Sequence, residues 1–88
     1  MPIARNPKIF SRKIKKKWVI LEPNKEHVRE LDEVASLIWE MAKKPITTEE
    51  IARKISSFYN QSLETVQNDV DEFVKKYLKE GFLNQVSD

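Results

Sequence analysis

The side chains that could carry out catalysis are few in this chain. It has no cysteine and one histidine, His27. No acid stands at a spacing that would orient His27 as a base, so we interpret it as a solvated strand residue. The adjacent acids Glu49 and Glu50, and Asp71 and Glu72, do not form pairs, because neighbours on a helix do not face each other. The sequence therefore predicts a protein that is not an enzyme and has no metal site.

Cofactor and membrane binding are also disfavoured. The single glycine, Gly81, argues against a glycine-rich loop that cradles a nucleotide. The longest apolar run, Trp18 to Leu21, is far shorter than the roughly 20 residues that cross a bilayer. The lack of cysteine fits a reducing compartment. We expect a cytoplasmic protein without cofactor or membrane contact.

Positive charge is concentrated at the N-terminus. The net charge is only +2, yet residues 1–17 contain no acid. Their basic residues are Arg5, Lys8, Arg12, Lys13, Lys15, Lys16 and Lys17. Such a segment can meet nucleic acid, an acidic partner or anionic lipid. Alternatively, it is a solvated strand edge and tail that resists aggregation.

The elements that position these groups begin with a small sheet. Alternating apolar residues predict three antiparallel strands, and residues 1–7 are expected to be a flexible tail. The strands are expected at 9–14, 16–22 and 27–31. A turn at 23–25 separates the last two. The third strand is short and carries Arg29 and Glu30, which suits the outer edge of a sheet.

Three helices follow, and the first has clear end signals. Asp32 can cap its first turn, and Pro45 prevents its continuation. Its apolar stripe is Val34, Leu37, Ile38 and Met41. Trp39 lies off the centre of this stripe, so we place it at the boundary between core and surface, with a partner for its indole N–H.

The second and third helices have equally specific boundaries. Thr47 and Glu50 have the spacing of a capping box, and Ile46 and Ile51 that of a hydrophobic staple. The second helix is expected to bury Ile51, Ala52, Ile55, Phe58 and Tyr59. Ser62 can cap the third helix, whose stripe is Leu63, Val66, Val70, Phe73, Val74, Tyr77 and Leu78. Gly81 should end it in a Schellman motif, with Phe82 folding back toward Tyr77.

Two binding functions fit this order of elements. The last two helices match a helix-turn-helix, which with the sheet predicts a winged-helix-like α+β fold. The outer face of the third helix, however, is polar or acidic near its start, and acids repel phosphate. These positions are Glu64, Gln67, Asn68, Asp71 and Glu72. A winged-helix DNA-binding protein that uses the basic N-terminal segment is therefore the alternative.

The edge strand favours the other function. An unpaired strand edge can accept an extended peptide as an additional strand, while a neighbouring helix supplies pockets for its side chains. In this chain the third strand and the third helix would form the two walls of such a groove. Arg29, Lys75 or Lys76 could pair with acidic side chains of the peptide. The open edge could also pair with a second copy of the chain.

The run "ELDEVASLIWEMAKKPITTEEIARKISSFYNQSLETVQNDVDEFVKKYLKEGFL" resembles the PqqD-like family, over roughly residues 17–83. The similarity lies in "IW", the threonine-capped helix with "EEIA", the aromatic "FY", and the order "V…DV…F…L…GFL". The resemblance implies a RiPP recognition element: three strands and three helices that bind the leader segment of a ribosomally made precursor peptide. In that family the leader adds to the third strand and rests against the third helix.

We therefore expect one PqqD-like domain over residues 1–88, with an N-terminal three-stranded antiparallel sheet followed by three helices. Its function would be that of a non-catalytic adaptor, which delivers a leader peptide to a modifying enzyme or leader protease supplied in trans. The expected peptide-binding residues are Val28, Arg29, Glu30, Leu31, Val66, Asp69, Val70, Phe73, Lys76 and Tyr77.

Overall fold

The computed structural model describes residues 2–22 and 28–87. Its elements are β1 (Ile3–Arg5), β2 (Ser11–Ile14), β3 (Lys17–Leu21), β4 (Val28–Glu30), α1 (Glu33–Met41), α2 (Thr48–Tyr59), α3 (Leu63–Glu80) and β5 (Leu83–Gln85). The predicted α+β arrangement, with a three-stranded antiparallel sheet followed by three helices, is confirmed. The turn predicted at 23–25, and His27, lie outside the described residues.

The three-stranded sheet has the order β2-β3-β4, and both pairings are antiparallel. Side chains alternate between its faces as expected of a strand. Ile20 is fully buried, whereas its neighbour Leu21 is 47% exposed. The predicted third strand is β4, and it lies at the outside of the sheet as its charged residues indicated.

Within the segment 1–7 expected to be a flexible tail, residues 3–5 instead form a strand that contributes to the core. β1 pairs antiparallel with β5, and the Ile3 backbone exchanges two hydrogen bonds with Ile46, of 2.8 and 3.0 Å. The Ile3 side chain is only 1% exposed. This additional two-stranded sheet was not predicted, because it joins the two ends of the chain and no local pattern marks such a pairing.

The predicted helix ends are confirmed at most positions. The Asp32 side chain accepts a hydrogen bond of 2.8 Å from the Ala35 N–H, and Thr47 accepts one of 3.1 Å from Glu50. Ser62 occupies the position before α3 but makes no capping hydrogen bond through its side chain.

The end of α3 is the Schellman motif expected from its glycine. Gly81 adopts the left-handed conformation with φ of 83°, and its N–H donates to the Leu78 carbonyl. The Phe82 N–H donates to the Tyr77 carbonyl at 2.9 Å. The Phe82 and Tyr77 rings meet edge to face with centroids 5.4 Å apart. Phe82 therefore folds back onto α3 as predicted.

Several apolar residues occupy different environments from those expected. Trp39 is completely buried, not at the boundary, and its indole N–H donates to the Ser11 hydroxyl at 3.1 Å. Val34 is 40% exposed, so α1 buries Ala35 and Trp39 beside Ile38 instead of the predicted stripe. The other large apolar residues expected inside but found exposed are Phe58 and Leu63. The predicted buried faces of α2 and α3 are otherwise confirmed, since Ile51, Ile55, Val66, Val70, Val74 and Tyr77 are buried, whereas α1 turns Ala35 and Trp39 inward in place of Val34.

In the described part of the chain, no helix is long and apolar enough to cross a membrane.

Candidate functional site

The outer edge of β4 offers backbone groups for a further strand. The Leu31 N–H donates to the Trp18 carbonyl at 2.9 Å, which makes this pair a hydrogen-bonding position of the β3–β4 ladder. Pairs alternate between bonded and non-bonded positions, so Val28 and Glu30, opposite Leu21 and Val19, point their N–H and C=O groups away from β3. Within residues 2–22 and 28–87, no other strand pairs with this edge.

The join between β4 and α1 is held by one hydroxyl. Ser36 is buried, accepts a hydrogen bond of 2.9 Å from the Trp18 N–H and donates one of 3.3 Å to the Leu31 carbonyl. Asp32 caps α1 directly after Leu31. Because only Leu31 and Asp32 separate β4 from α1, and both are hydrogen-bonded to α1, the position of the edge is tied to that of α1.

Beside this edge lies a groove of about 460 Å³, which we call the edge groove. It is lined by Glu30, Leu31, Asp32, Val34, Ala35, Ile38, Ile55, Tyr59, Gln61, Val66, Asp69, Val70, Phe73, Lys76 and Tyr77. Most of these side chains are apolar or aromatic. Phe73 and Tyr77 stack with ring centroids 4.0 Å apart and form part of the α3 wall. An apolar groove next to free strand groups suits side chains of an extended peptide.

Acidic residues outnumber basic residues among the residues that line the edge groove. Asp32 and Asp69 are acidic, and Lys76 is the cation among the lining residues described, whereas the side chain of Glu30 points to the other face of the sheet, 4.0 Å from Lys17. Asp69 and Lys76 are both exposed, and they lie seven positions apart on α3, about two turns. The groove therefore presents opposite charges at separate points along α3, a pattern that can select the direction and register of a bound peptide.

Arg29 connects the edge strand to the end of α3. Its guanidinium donates two hydrogen bonds to the Glu80 carboxylate, of 3.2 and 2.7 Å, and lies 2.6 Å from the buried Glu22. It also stands over the rings of Tyr77 and Phe82, 5.6 and 5.0 Å from their centroids. The hydrogen bond to Glu80 raises the pKa of Arg29 above its ordinary value. We call Arg29, Glu22 and Glu80 the arginine latch.

The structure brings together most of the residues predicted to bind peptide. Glu30, Leu31, Val66, Asp69, Val70, Phe73, Lys76 and Tyr77 all line the edge groove. Two do not: Arg29 is engaged in the arginine latch, and Val28 is 57% exposed on the opposite face of the sheet. Lys75, considered as a partner for an acidic peptide, is exposed but does not line the groove.

Sequence reasoning missed the contribution of α1 and α2. Val34, Ala35 and Ile38 come from α1, and Ile55 and Tyr59 from α2. The sequence predicts Val34, Ile38, Ile55 and Tyr59 as core and leaves Ala35 unplaced. Ala35, Ile38 and Ile55 do belong to the buried core, and an apolar helical stripe does not show which part of a core also lines a groove. The Tyr59 hydroxyl donates to Glu33 at 2.9 Å, which ties the two helices together at the groove.

Other chemistry finds little support in the same region. Over the described ranges, no group of three or more acidic, histidine or cysteine side chains could hold a metal ion. The proposed DNA-reading face of α3 is acidic as expected: Glu64, Asp71 and Glu72 are exposed, and Gln67 donates to Asp71 at 3.0 Å. Phosphate would be repelled from this face.

The described part of the chain is a small α+β domain with an unpaired sheet edge beside an apolar groove. The model of the family described as coenzyme PQQ synthesis protein D (PqqD) matches residues 17–83, and the chain belongs to this family. The resemblance inferred from the residues is thereby confirmed over the range where it was expected.

A solved structure has the same architecture. The chain is similar to TbiB1, whose structure was determined in complex with the TbiA(beta) leader peptide, with 25% sequence identity and a TM-score of 0.82. The match covers 97% of this chain and 99% of TbiB1. No curated protein matches the chain significantly.

Proposed function

We propose that this protein is a non-catalytic RiPP recognition element that binds the leader segment of a ribosomally made precursor peptide. The leader adds as a strand to the outer edge of β4 and places side chains in the edge groove against α3. The observation that carries the proposal is the juxtaposition of outward backbone groups at Val28 and Glu30 with this apolar groove. The similarity to TbiB1, a protein solved with a leader peptide, supports it.

Apolar anchoring supplies most of the affinity in this arrangement. A backbone hydrogen bond contributes only about 1 kcal/mol net, and β4 is a strand of three residues. Burying one large apolar side chain contributes about 1.5 to 3 kcal/mol. The backbone ladder therefore sets the register, whereas contacts with accessible groove residues such as Val34 and Phe73 set the strength of binding.

The dimensions of the site limit the length of leader that it reads. From Val66 to Tyr77 the α3 wall rises about 16 Å at 1.5 Å per residue. An extended strand covers this distance with about five residues. Because alternate side chains of a strand point to the same face, about every second leader residue enters the groove. We expect a short leader motif with apolar residues two positions apart.

Charge adds selectivity to this motif. Lys76 is placed to pair with an acidic leader residue, and Asp69 with a basic one about two turns away along α3. Arg29 could also pair with an acidic leader residue by its charge, but it is already held by Glu22 and Glu80. A leader acid would have to compete with both carboxylates, so we assign recognition of an acidic residue to Lys76.

Delivery to an enzyme follows from holding the leader. A bound leader keeps the downstream core of the precursor close to any enzyme that contacts the same adaptor. This raises the effective concentration of substrate without a large interface. We propose that the modifying enzyme or leader protease is supplied in trans.

A binding experiment tests leader recognition directly. The isotope-labelled protein is titrated with the leader of a short precursor peptide encoded nearby, and amide shifts are followed by NMR. We expect shifts confined to residues 28–31 and the groove-lining side of α3. A scrambled leader of the same composition is the control, and equal shifts with both peptides contradict the proposal.

Duplex DNA in a parallel titration tests the alternative function. Salt-sensitive shifts centred on residues 12–17 would favour the winged-helix DNA-binding protein, because phosphate contacts weaken as salt rises.

Sedimentation of the free protein examines pairing between two β4 edges. A stable dimer that excludes the leader would contradict a role as an open leader acceptor.

A further inference from the structure

The face of the sheet opposite the core is unusually apolar for a solvent-exposed surface. Among the described large apolar residues, those exposed on this face are Phe10 at 69%, Ile14 at 53%, Leu21 at 47% and Val28 at 57%. Val19 lies between them and is half-buried. We call these five residues the open face. Singly exposed apolar residues are ordinary, whereas a cluster of them marks an interaction site.

The register of the sheet arranges these side chains in rows. Leu21 stands opposite Val28 on β4, and its N–H donates to the Phe10 carbonyl at 3.0 Å on the other side. Phe10, Leu21 and Val28 therefore form one apolar row across the sheet. Opposed side chains in such a row are about 5 Å apart, so the row is continuous.

The helices of the domain leave this face open. The core takes Trp18, Ile20 and Leu31 from the inner face of the sheet. Val19, Leu21 and Val28 alternate with them and are not part of that core cluster. Since a sheet can bury each face separately, packing among residues 2–22 and 28–87 does not explain the apolar residues of the open face.

Basic residues surround the open face on the side of the β2–β3 turn. Two shallow concavities of about 260 and 600 Å³ lie on it. The charged residues that line them are Arg12, Lys15, Lys16, Lys17 and Glu30. Lys17 lies 4.0 Å from Glu30, so this acid offsets one of the four cations. The surface combines apolar contact with an excess of positive charge at the β2–β3 turn.

We propose that the open face is a docking surface for a second protein, which contacts it through an amphipathic helix with an acidic flank. The apolar stripe of that helix lies on the row of Phe10, Leu21 and Val28, and its Asp or Glu side chains face Arg12 and residues 15–17. This site is separate from the edge groove and does not require leader binding. It goes beyond the proposed function by assigning a place to a protein partner.

The shape of the surface favours a helix over a lipid bilayer. The row of Phe10, Leu21 and Val28 crosses three strands spaced about 4.8 Å apart, so it spans about 10 Å, the length of about two turns of an α-helix lying along it. The apolar residues line concavities, whereas side chains that enter a bilayer must project from the surface. The cations lie to one side of the apolar row, toward the β2–β3 turn, where they can meet a flank of a helix bound across the sheet.

The test uses a synthetic helix of about five turns, with a leucine stripe flanked by glutamates, added to the isotope-labelled full chain. We expect amide shifts at the open face. The double variant Ile14→Ser and Leu21→Ser should weaken binding about tenfold, and so should Lys15→Glu with Lys16→Glu. Phe58→Ser with Lys54→Glu, at exposed positions on α2, is the matched control and should bind normally.

Comparison probes make the outcome decisive. The same peptide with lysine in place of glutamate should produce no shifts at the open face; equal shifts overturn the proposal. If the protein binds phosphatidylcholine–phosphatidylglycerol vesicles and the double variant Ile14→Ser and Leu21→Ser does not, the face is assigned to a membrane instead. A dimer of the free protein that dissociates in the same variant would assign it to a second copy. Absence of open-face shifts at millimolar peptide also overturns the proposal.

Leader titration distinguishes this proposal from the proposed function. The double variant Ile14→Ser and Leu21→Ser leaves the residues of the edge groove unchanged, so it should bind leader with unaltered affinity. If the unmodified protein does not bind leader, the proposed function is contradicted, whereas the proposal of a docking surface on the open face is not.

Discussion

At the scale of single residues, Arg29 has a structural role that its position on an edge strand concealed. Its side chain is 27% exposed, and it is shared between Glu22, which is buried, and Glu80 at the end of α3. The rings of Tyr77 and Phe82 cover it. The arginine latch thus joins β4, the end of α3 and Phe82, the residue before β5, at one point.

Replacement of Arg29 by methionine tests the arginine latch. Methionine retains an unbranched apolar chain but leaves the buried Glu22 without the guanidinium. We expect the free energy of unfolding to fall by about 1 to 2 kcal/mol, less than for a fully buried pair because the latch is partly exposed. Urea denaturation measures this change. Lys75→Met, at an exposed position of α3, should cost less than about 0.5 kcal/mol; equal costs would show that the latch contributes nothing.

Phe73 is the aromatic residue best placed to contact a leader. It is half-buried, lines the edge groove and stacks on Tyr77. We expect Phe73→Ala to weaken leader binding about tenfold or more, because a large apolar contact is lost. Phe58→Ala is the matched control, since Phe58 is 72% exposed and lies outside the groove. Calorimetric titration with leader measures both, and similar affinities in the two variants would contradict the assignment.

The sequence predicted capping residues better than it predicted burial. Asp32, Thr47 and Gly81 act within one turn of their own positions, so local spacing was sufficient. Val34 and Phe58 were assigned to the core from helical periodicity, yet both are exposed. Periodicity gives the face of a helix but not the element that covers it, and covering depends on contacts distant in sequence.

At the scale of elements, β4 combines two roles in three residues. Arg29 bonds through its backbone toward β3, while Val28 and Glu30 direct their backbone groups outward. The side chain of Arg29 lies on the α3 side of the sheet, and those of its two neighbours on the open face. One short strand therefore presents backbone groups at the outer edge of the sheet, Arg29 on the core side, and Val28 and Glu30 on the opposite face.

Glu30→Pro should block addition of a leader strand to the outer edge of β4 without disturbing the sheet. The Glu30 N–H points away from β3, so Glu30→Pro removes an outward donor and retains the β3–β4 hydrogen bonds. The preceding Arg29 is already extended, as a residue before proline requires. We expect leader affinity to fall about tenfold or more in a calorimetric titration, with little change in unfolding temperature.

Two control variants accompany Glu30→Pro, one for the loss of the Glu30 side chain and one for the position of the proline. Glu30→Ala keeps the N–H and should bind leader normally. Arg29→Pro removes an inward donor and the arginine latch together, so it should destabilise the fold. If Glu30→Pro binds as tightly as Glu30→Ala, the leader does not add to β4.

The edge strand was predictable because its signals are local, whereas the remainder of the site was not. Charged residues on a short strand identified β4, and an apolar stripe identified α3. The contribution of α1 and α2 to the edge groove depends on how the helices pack around it. The pairing of β1 with β5 joins segments about 80 residues apart, and neither segment has a strand pattern long enough to be recognised.

At the scale of the whole molecule, the N-terminal strand connects parts of the chain that share no local pattern. β1 pairs with β5, and its backbone also bonds to Ile46 and to the Ala42 carbonyl. Arg5 donates to the Trp39 carbonyl at 2.7 Å and stands over the Trp18 ring. The first residues thereby tie α1, the segment before α2 and the C-terminal strand into one core, although the family match begins only at residue 17.

Ile3→Ala therefore tests whether β1 belongs to the cooperative fold. Ile3 is 1% exposed, and its truncation should lower the free energy of unfolding by about 2 to 4 kcal/mol, the cost of removing a buried isoleucine side chain and leaving a cavity. Ile14→Ala makes the same chemical change at a 53% exposed position and should cost less than about 0.5 kcal/mol. Urea denaturation followed by tryptophan fluorescence reports both, because Trp39 lies in the core. In a domain of 88 residues a loss of this size is a large part of the total stability, so the Ile3 variant should unfold at clearly lower urea. Equal midpoints for the two variants would mean that β1 is detached in solution.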